Sequence, residues 1–155
     1  DMSPVAPALF MADETYLVPR IDDPSYYEHV LDICEKSKVK AITTLIDPEI
    51  EILAKNREDL LSKGILPLCP ADWTARLCYD KYEMFKYLHD KGVRTILTYN
   101  SLEGFQNGLE KGEISFPVFM KPINGSGSVG IGKVNSWEEA ELSLKMANSP
   151  TLFKS

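Results

Sequence analysis

Histidine is nearly absent from this 155-residue chain, which has only His29 and His89, and cysteine is sparse and scattered, at Cys34, Cys69 and Cys78. There is no CxxC pair and no histidine cluster beside the thiols, so neither a zinc site nor a disulfide framework is expected. The cysteines read as reduced core thiols, and the two histidines, set among charges, as surface residues. Positive charge is also in short supply: 17 Lys and Arg against 23 Asp and Glu give a net charge of −6. That balance argues against nucleic acid or an anionic membrane as partner, since both require clustered cations. No apolar run approaches the roughly 20 residues of a membrane helix, and Asp1-Met2-Ser3-Pro4 lacks the basic and then apolar pattern of a secretory signal. A cytoplasmic protein is the expectation. What is present, 44% hydrophobic residues, is the composition of an ordinary globular chain, long enough for one substantial core or two small lobes.

The apolar pattern alternates between a strand period and a helix period, with Pro, Gly or Asp at the junctions, which predicts an α/β fold. Tyr16-Leu17-Val18 reads as a short strand. Asp23-Pro24 opens a helix with Tyr27, Val30, Leu31 and Cys34 on one face. Ala41 to Ile46, β-branched and nearly continuously apolar, reads as a strand covered on both faces, and Asp47-Pro48 opens a second helix that ends near Gly64. Ile65 to Leu68 is the next strand, with Pro67 marking an edge or a strand end. Strands separated by helices of this length favour a parallel, Rossmann-like sheet over residues 1–78. From 79 onward the pattern is α+β. Asp80 caps a helix to about Lys91, with Met84, Tyr87 and Leu88 inward and Gly92 at its end. Thr95 to Tyr99 is a strand, Leu102 to Lys111 a helix, Phe116 to Lys121 a strand, and Ile131 to Val134 another. A capping box from Ser136 to Glu139 opens the last helix. Trp73 and Trp137 read as packing residues.

The informative stretch is the strand ending in Lys121, the loop Asn124-Gly125-Ser126-Gly127-Ser128-Val129-Gly130, and the strand that follows at once. Residues without bulky side chains let backbone N–H groups approach an anion, and Ser126 and Ser128 add hydroxyl donors, which suits a triphosphate. A Walker loop or a dinucleotide fingerprint would lead into a helix, and neither does so here. A glycine hairpin between two strands, with a lysine closing the first, is instead similar to the phosphate lid of an ATP-grasp enzyme. The run FPVFMKPINGSGSVGIGKV (116–134), preceded by DKYEMFKYLHDKGVRT (80–95), resembles the first ATP-grasp subdomain of carbamoyl-phosphate-synthase-like large chains, and the strand-helix units before it resemble the pre-ATP-grasp domain of that family.

The resemblance implies an ATP-dependent carboxylate-amine ligase working through an acyl phosphate, with ATP and a small carboxylate or bicarbonate as its small-molecule partners. Lys121 would lie near the α-phosphate and adenine, Lys81 would approach the phosphates from its helix, and the glycine loop would fold over the β- and γ-phosphates. The adenine hinge, the ribose-binding acid and the carboxylates for Mg²⁺ belong, in that family, to a second subdomain outside these 155 residues. No metal ligands are therefore expected here, no catalytic residue is assigned, and this chain alone is expected to be inactive. Its abrupt start and end suggest a piece of a longer protein or the product of a broken gene. A homodimer, or a second chain carrying the other subdomain, is the expected protein partner, and the alternative function is a catalytically incomplete nucleotide-sensing module. Each lesser candidate has a plainer reading: Lys81 as a solvated helix lysine, Asp47 and Glu49 as a helix cap and acidic first turn rather than a substrate crevice, and Asp1 as a terminus rather than part of that crevice.

Overall fold

The helical spacing of Tyr27, Val30, Leu31 and Cys34 produces α1 (Tyr26–Lys36) in the computed structural model, which describes residues 1–125 and 127–147. The chain divides into one unit from Asp1 to Arg76 and a second from Leu77 onward.

In the first unit, Asp23 lies one turn ahead of the helix instead of capping it: its carboxylate accepts from the backbone N–H and the hydroxyl of Ser25 at 2.8 and 2.7 Å. After α1 come β1 (Ala41–Ile42), α2 (Asp47–Lys55), α3 (Arg57–Ser62) and β2 (Leu66–Pro67). The single helix expected from 47 to 64 is divided at Asn56, whose side-chain amide donates to the Ile52 carbonyl at 2.8 Å and competes with the helical ladder. Gly64, at φ 75°, provides the left-handed residue that ends α3. β1 and β2 are parallel, with Ala41 opposite Leu66 and Ile42 opposite Pro67. Leu66 and Leu68 donate to Lys40 and Ile42, so position 67, which has no N–H, faces away from β1. Arg57 donates to the outward carbonyls of Pro67 and Cys69 at 3.4 and 3.1 Å. Under this pair lie Leu31, Cys34, Leu53, Leu60 and Ile65. Leu53, Leu60 and Ile65 are at most 2% exposed, and each contributes about 1.5–3 kcal/mol by burial.

Two strand expectations fail in this unit. Residues 43–46 leave the ladder, with Leu45 97% and Ile46 58% exposed, so the segment is not covered on both faces. The hydroxyls of Thr43 and Thr44 divert it: Thr43 donates to the Leu68 carbonyl, while Thr44 donates to Glu49 and accepts from the Ile46 N–H. Residues 16–18 are extended without forming a strand, their backbone bonds going to Asp1, whose N-terminal ammonium donates to Tyr16 O and whose carbonyl accepts from Val18 N–H, both at 3.1 Å.

α4 (Asp72–Tyr79), which contains the point of division, was not anticipated, and Trp73 on it is 57% exposed. In the second unit, Asp80 caps α5 (Lys81–Asp90) by accepting from the Tyr82 and Glu83 N–H groups at 2.9 Å, and Gly92 at φ 73° ends it. Met84 and Leu88 are half-buried on α5, but Tyr87 is exposed. The expected strand at 95–99 is not assigned as a strand and has no ladder partner among the described residues, with Ile96 88% exposed and the Thr98 hydroxyl donating to the Ile96 carbonyl. Ser101 then caps α6 (Leu102–Glu110) through the Gly104 N–H. The Tyr99 ring lies over the two glycines of that helix, Gly104 and Gly108, and its hydroxyl donates to Glu113 at 2.9 Å. On α6, Phe105 stacks on Trp137 and meets Phe116 edge-on, with both ring centroids 5.8 Å away. A cis peptide joins Phe116 to Pro117. β3 (Val118–Met120) and β4 (Gly132–Val134) then pair antiparallel, with Val118 opposite Val134 and Met120 opposite Gly132. α7 (Trp137–Ala147) begins at the capping box: Ser136 accepts from the Glu139 N–H, and Glu139 accepts from the Asn135 N–H at 2.7 Å. The fold class is α/β.

Candidate functional site

The site is built on the β3–β4 hairpin. Along β3 the side chains alternate, so Val118 and Met120 turn inward and Phe119 outward, with Phe119 69% exposed. Lys133 is opposite Phe119 in register, and Lys121 directly follows β3 as Ile131 directly precedes β4. The hairpin and its ends thus expose an aromatic ring, an aliphatic side chain that is 45% exposed, and two ammonium groups. The Lys121 ammonium makes no hydrogen bond or ion pair with the described residues. Phe119, Ile131 and Lys133 went unnoticed as site residues in the sequence, although their even spacing from Lys121 and the hairpin register contain the signal.

The loop between the strands is held in left-handed backbone at Gly125 (φ 106°), Gly127 (φ 67°), Ser128 (φ 62°) and Gly130 (φ 72°). A side chain at Gly125 or Gly127 would meet nothing within 4 Å, so glycine is needed there for conformation. At Gly130 a Cβ would come within 2.9 Å of the Pro122 ring, so there the reason is also close approach. Ser128 adopts the same region with a side chain, at a cost of order 1 kcal/mol that such loops carry where the backbone has a task. Turns that contain left-handed residues are a setting in which backbone N–H groups can face an anion. Ser126 lies outside the described residues.

The foot of the loop is tied down by Lys81 and Asn124. The Lys81 ammonium donates to the carbonyls of Gly125 at 2.7 Å and Ile123 at 3.3 Å, and the Lys81 N–H donates to Ile123 O at 3.1 Å. Asn124 donates from its side-chain amide to the Tyr79 carbonyl at 3.4 Å. Lys81, Asn124 and Gly125 are thus brought together, but the ammonium is directed at the loop's own carbonyls.

The first unit holds a separate, shallow cleft of about 300 Å³, lined among others by Asp1, Glu14, Tyr16, Tyr26 and Glu49. Asp1 and Glu49 both line it, whereas Asp47 is not in the lining and sits exposed in the first turn of α2. Glu49 accepts from the hydroxyls of both Tyr26 and Thr44, which ties α1 to the start of α2. Burial, and then the carboxylate of Glu49, push the Tyr26 hydroxyl's pKa well above its ordinary value, so it stays a donor. Of the thiols, Cys34 is buried, with its pKa raised by that burial, and Cys69 packs on the core. Cys78, however, is exposed and not a core residue. His29 and His89 are exposed, His89 lying against the Phe85 ring, and Trp137 packs as expected. Among the described residues no group of three or more His, Cys, Asp or Glu is placed to hold a metal ion, and no helix is long and apolar enough to cross a membrane.

Residues 1–68 match the family described as PylC-like, N-terminal domain. The biotin carboxylase domain dimer of the 2-oxoglutarate carboxylase of Hydrogenobacter thermophilus, solved with MgADP, ADP and bicarbonate, superposes with a TM-score of 0.63 at 24% identity. That superposition covers 90% of this chain and 31% of that one. That likeness is one of fold. A second solved structure, the pyruvate carboxylase of Rhizobium etli with acetyl coenzyme A, gives a TM-score of 0.63 at 18% identity, covering 88% of this chain and 12% of that one. In sequence, the D-alanine–D-alanine ligase of Corynebacterium aurimucosum is 40% identical over 45 residues, which is 29% of this chain and 13% of that ligase. The chain thus spans a minor part of the length of the proteins it is similar to.

Proposed function

We propose that the β3–β4 hairpin and its loop form one side of an ATP site, in a protein whose full activity is ATP-dependent ligation of a carboxylate to an amine. The observation that carries this reading is the exposed hairpin face. Phe119 and Ile131 offer an apolar surface to a purine, Lys121 and Lys133 flank it with positive charge, and the left-handed loop follows directly. Lysine suits this role as a compact point charge for polyphosphate. The loop residues Asn124 to Gly130 would present N–H groups to the β- and γ-phosphates, with Ser128, and Ser126 by the sequence, adding hydroxyls. Such fixed donors stabilise charge on a transferring phosphoryl group without reorganising during the reaction. When bound, ATP would supply the phosphoryl group that activates a carboxylate or bicarbonate as an acyl phosphate for attack by an amine. Mg²⁺ would take its carboxylates from outside the described residues. The domain reading, pre-ATP-grasp over 1–78 and first ATP-grasp subdomain over 79–155, is part of this proposal. Asp1 and Glu49 in the cleft of the first unit are its weakest members, because Glu49 is already engaged by two hydroxyls.

An NMR titration of the chain with Mg-ATP tests the reading. Chemical-shift changes should concentrate at 119–133, with modest affinity. Lys121→Ala should remove a charge-assisted contact of about 1.5–3 kcal/mol, a loss of about 10-fold or more in affinity, without altering the fold. Equal binding by the variant would return Lys121 to an ordinary strand-end lysine, and shifts scattered over the first unit would sink the assignment.

A further inference from the structure

Lysines near a phosphate loop invite the assumption that they touch phosphate, but the geometry here gives Lys81 another task. Its ammonium is 2.7 Å from Gly125 O and 3.3 Å from Ile123 O, and its own backbone N–H also bonds Ile123 O. The side chain is half-buried, on the first residue of a helix that Asp80 caps from the preceding position. A cation that donates to two neutral carbonyls forms charge-assisted bonds, the stronger class. The two carbonyls belong to residues on either side of Asn124, which is itself bonded to Tyr79 O from its side chain. Three consecutive loop residues, 123 to 125, are therefore fastened to the α4–α5 junction, and the fastening ends where the left-handed stretch begins at Gly125.

We propose that Lys81 is a positioning residue: it fixes the foot of the glycine loop before any ligand arrives, so that the N–H groups of the loop are already turned outward. Directing the ammonium at carbonyl oxygens also takes those acceptors out of the anion's way, since a carbonyl facing a phosphate repels it. The inference rests on the nucleotide reading above only for what the loop is for. The fastening itself is tested without nucleotide.

The experiment is backbone ¹⁵N relaxation on the unliganded chain, comparing wild type with Lys81→Met, Lys81→Arg and Asn124→Ala, with the amide shifts of α7 as the check on folding. In wild type, Asn124 and Gly125 should be about as ordered as β3. Lys81→Met should lower the order parameter of Gly125, Lys81→Arg should restore it, and Asn124→Ala should loosen the same residues through the second tether. With Mg-ATP added, Lys81→Met should weaken binding about 5-fold, because the competent loop conformation becomes a minor population. An unchanged Gly125 order parameter in Lys81→Met overturns the proposal. Weakened ATP binding with an unchanged loop would make Lys81 a direct phosphate contact instead. If the wild-type chain does not bind ATP while the relaxation result holds, the nucleotide reading fails and the fastening stands.

Discussion

Gly108 offers a perturbation whose sign depends on one neighbour. It is buried within α6, where replacing glycine by alanine ordinarily gains about 0.8–1 kcal/mol from the lower backbone entropy of the unfolded chain. Here a Cβ would lie 2.5 Å from the Tyr99 hydroxyl oxygen and 2.6 Å from the ring carbon that bears it. Rotating the hydroxyl hydrogen cannot relieve a clash with ring carbon, so the whole ring must swing off the helix. In doing so it loses its bond to Glu113 and its edge contact with Phe105, 6.5 Å between centroids. Overpacking of this kind costs about 1–3 kcal/mol, and an exposed hydrogen bond adds about 0.5 kcal/mol. Steric cost outweighs propensity, so Gly108→Ala should destabilise the second unit by about 1–2 kcal/mol. In a Tyr99→Ala background nothing stands in the way, and the same substitution should stabilise by about 0.5–1 kcal/mol, a coupling of about 1.5–3 kcal/mol. Urea unfolding followed by Trp137 fluorescence, with Trp73 replaced by Phe, measures both arms. If Gly108→Ala is neutral or stabilising with Tyr99 present, the ring is not packed on the glycine groove and the reasoning is wrong.

Other outcomes are expected from the same structure. Leu60, at 0% exposure, should cost about 2–5 kcal/mol as Leu60→Ala, seen as a lower urea midpoint at unchanged slope. Leu61→Ala next to it, 40% exposed, should stay within about 1 kcal/mol. Glu138, in the first turn of α7, has its carboxyl held below the ordinary 4.5 by its own backbone N–H and then by Ser136. A depressed folded-state value means this stabilisation is present above pH 4.5 and lost as pH falls through the lower folded value. A carbon-detected titration should therefore put the Glu138 midpoint below 4.5, and Ser136→Ala should move it upward.

Much of the helical half of the fold was legible because helix signals are local. Asp80, Ser101 and Ser136 bond N–H groups three or fewer residues away, and Gly64 and Gly92 mark ends through their own φ. Strands depend on a partner distant in sequence, and that is where reading failed. Residues 95–99 have the residue types of a strand but no ladder among the described residues, and Thr43 and Thr44 spend their hydroxyls on alternatives to one. Of the candidate site, the glycines were readable as places where the backbone can approach an anion, while their left-handed φ values came from the structure. The hydrogen bonds of Lys81 to the carbonyls of Ile123 and Gly125 were not readable, because they depend on the placement of a segment distant in sequence. The partners of Glu49 were not legible either, because the hydroxyl of Tyr26 comes from another helix.

The parallel pair in the first unit has two edges of unequal character. At position 67 the outer edge of β2 has no amide to offer, and Arg57 already holds the carbonyls that an incoming strand would seek at 67 and 69. A stray extended segment, from another copy of the chain or from a misfolded neighbour, therefore finds few handholds there. Sheet growth is directed to the β1 side. A single proline and a single guanidinium thus make this small sheet one-ended, which guards it against self-association through β2 during synthesis and refolding, when the core is only partly formed.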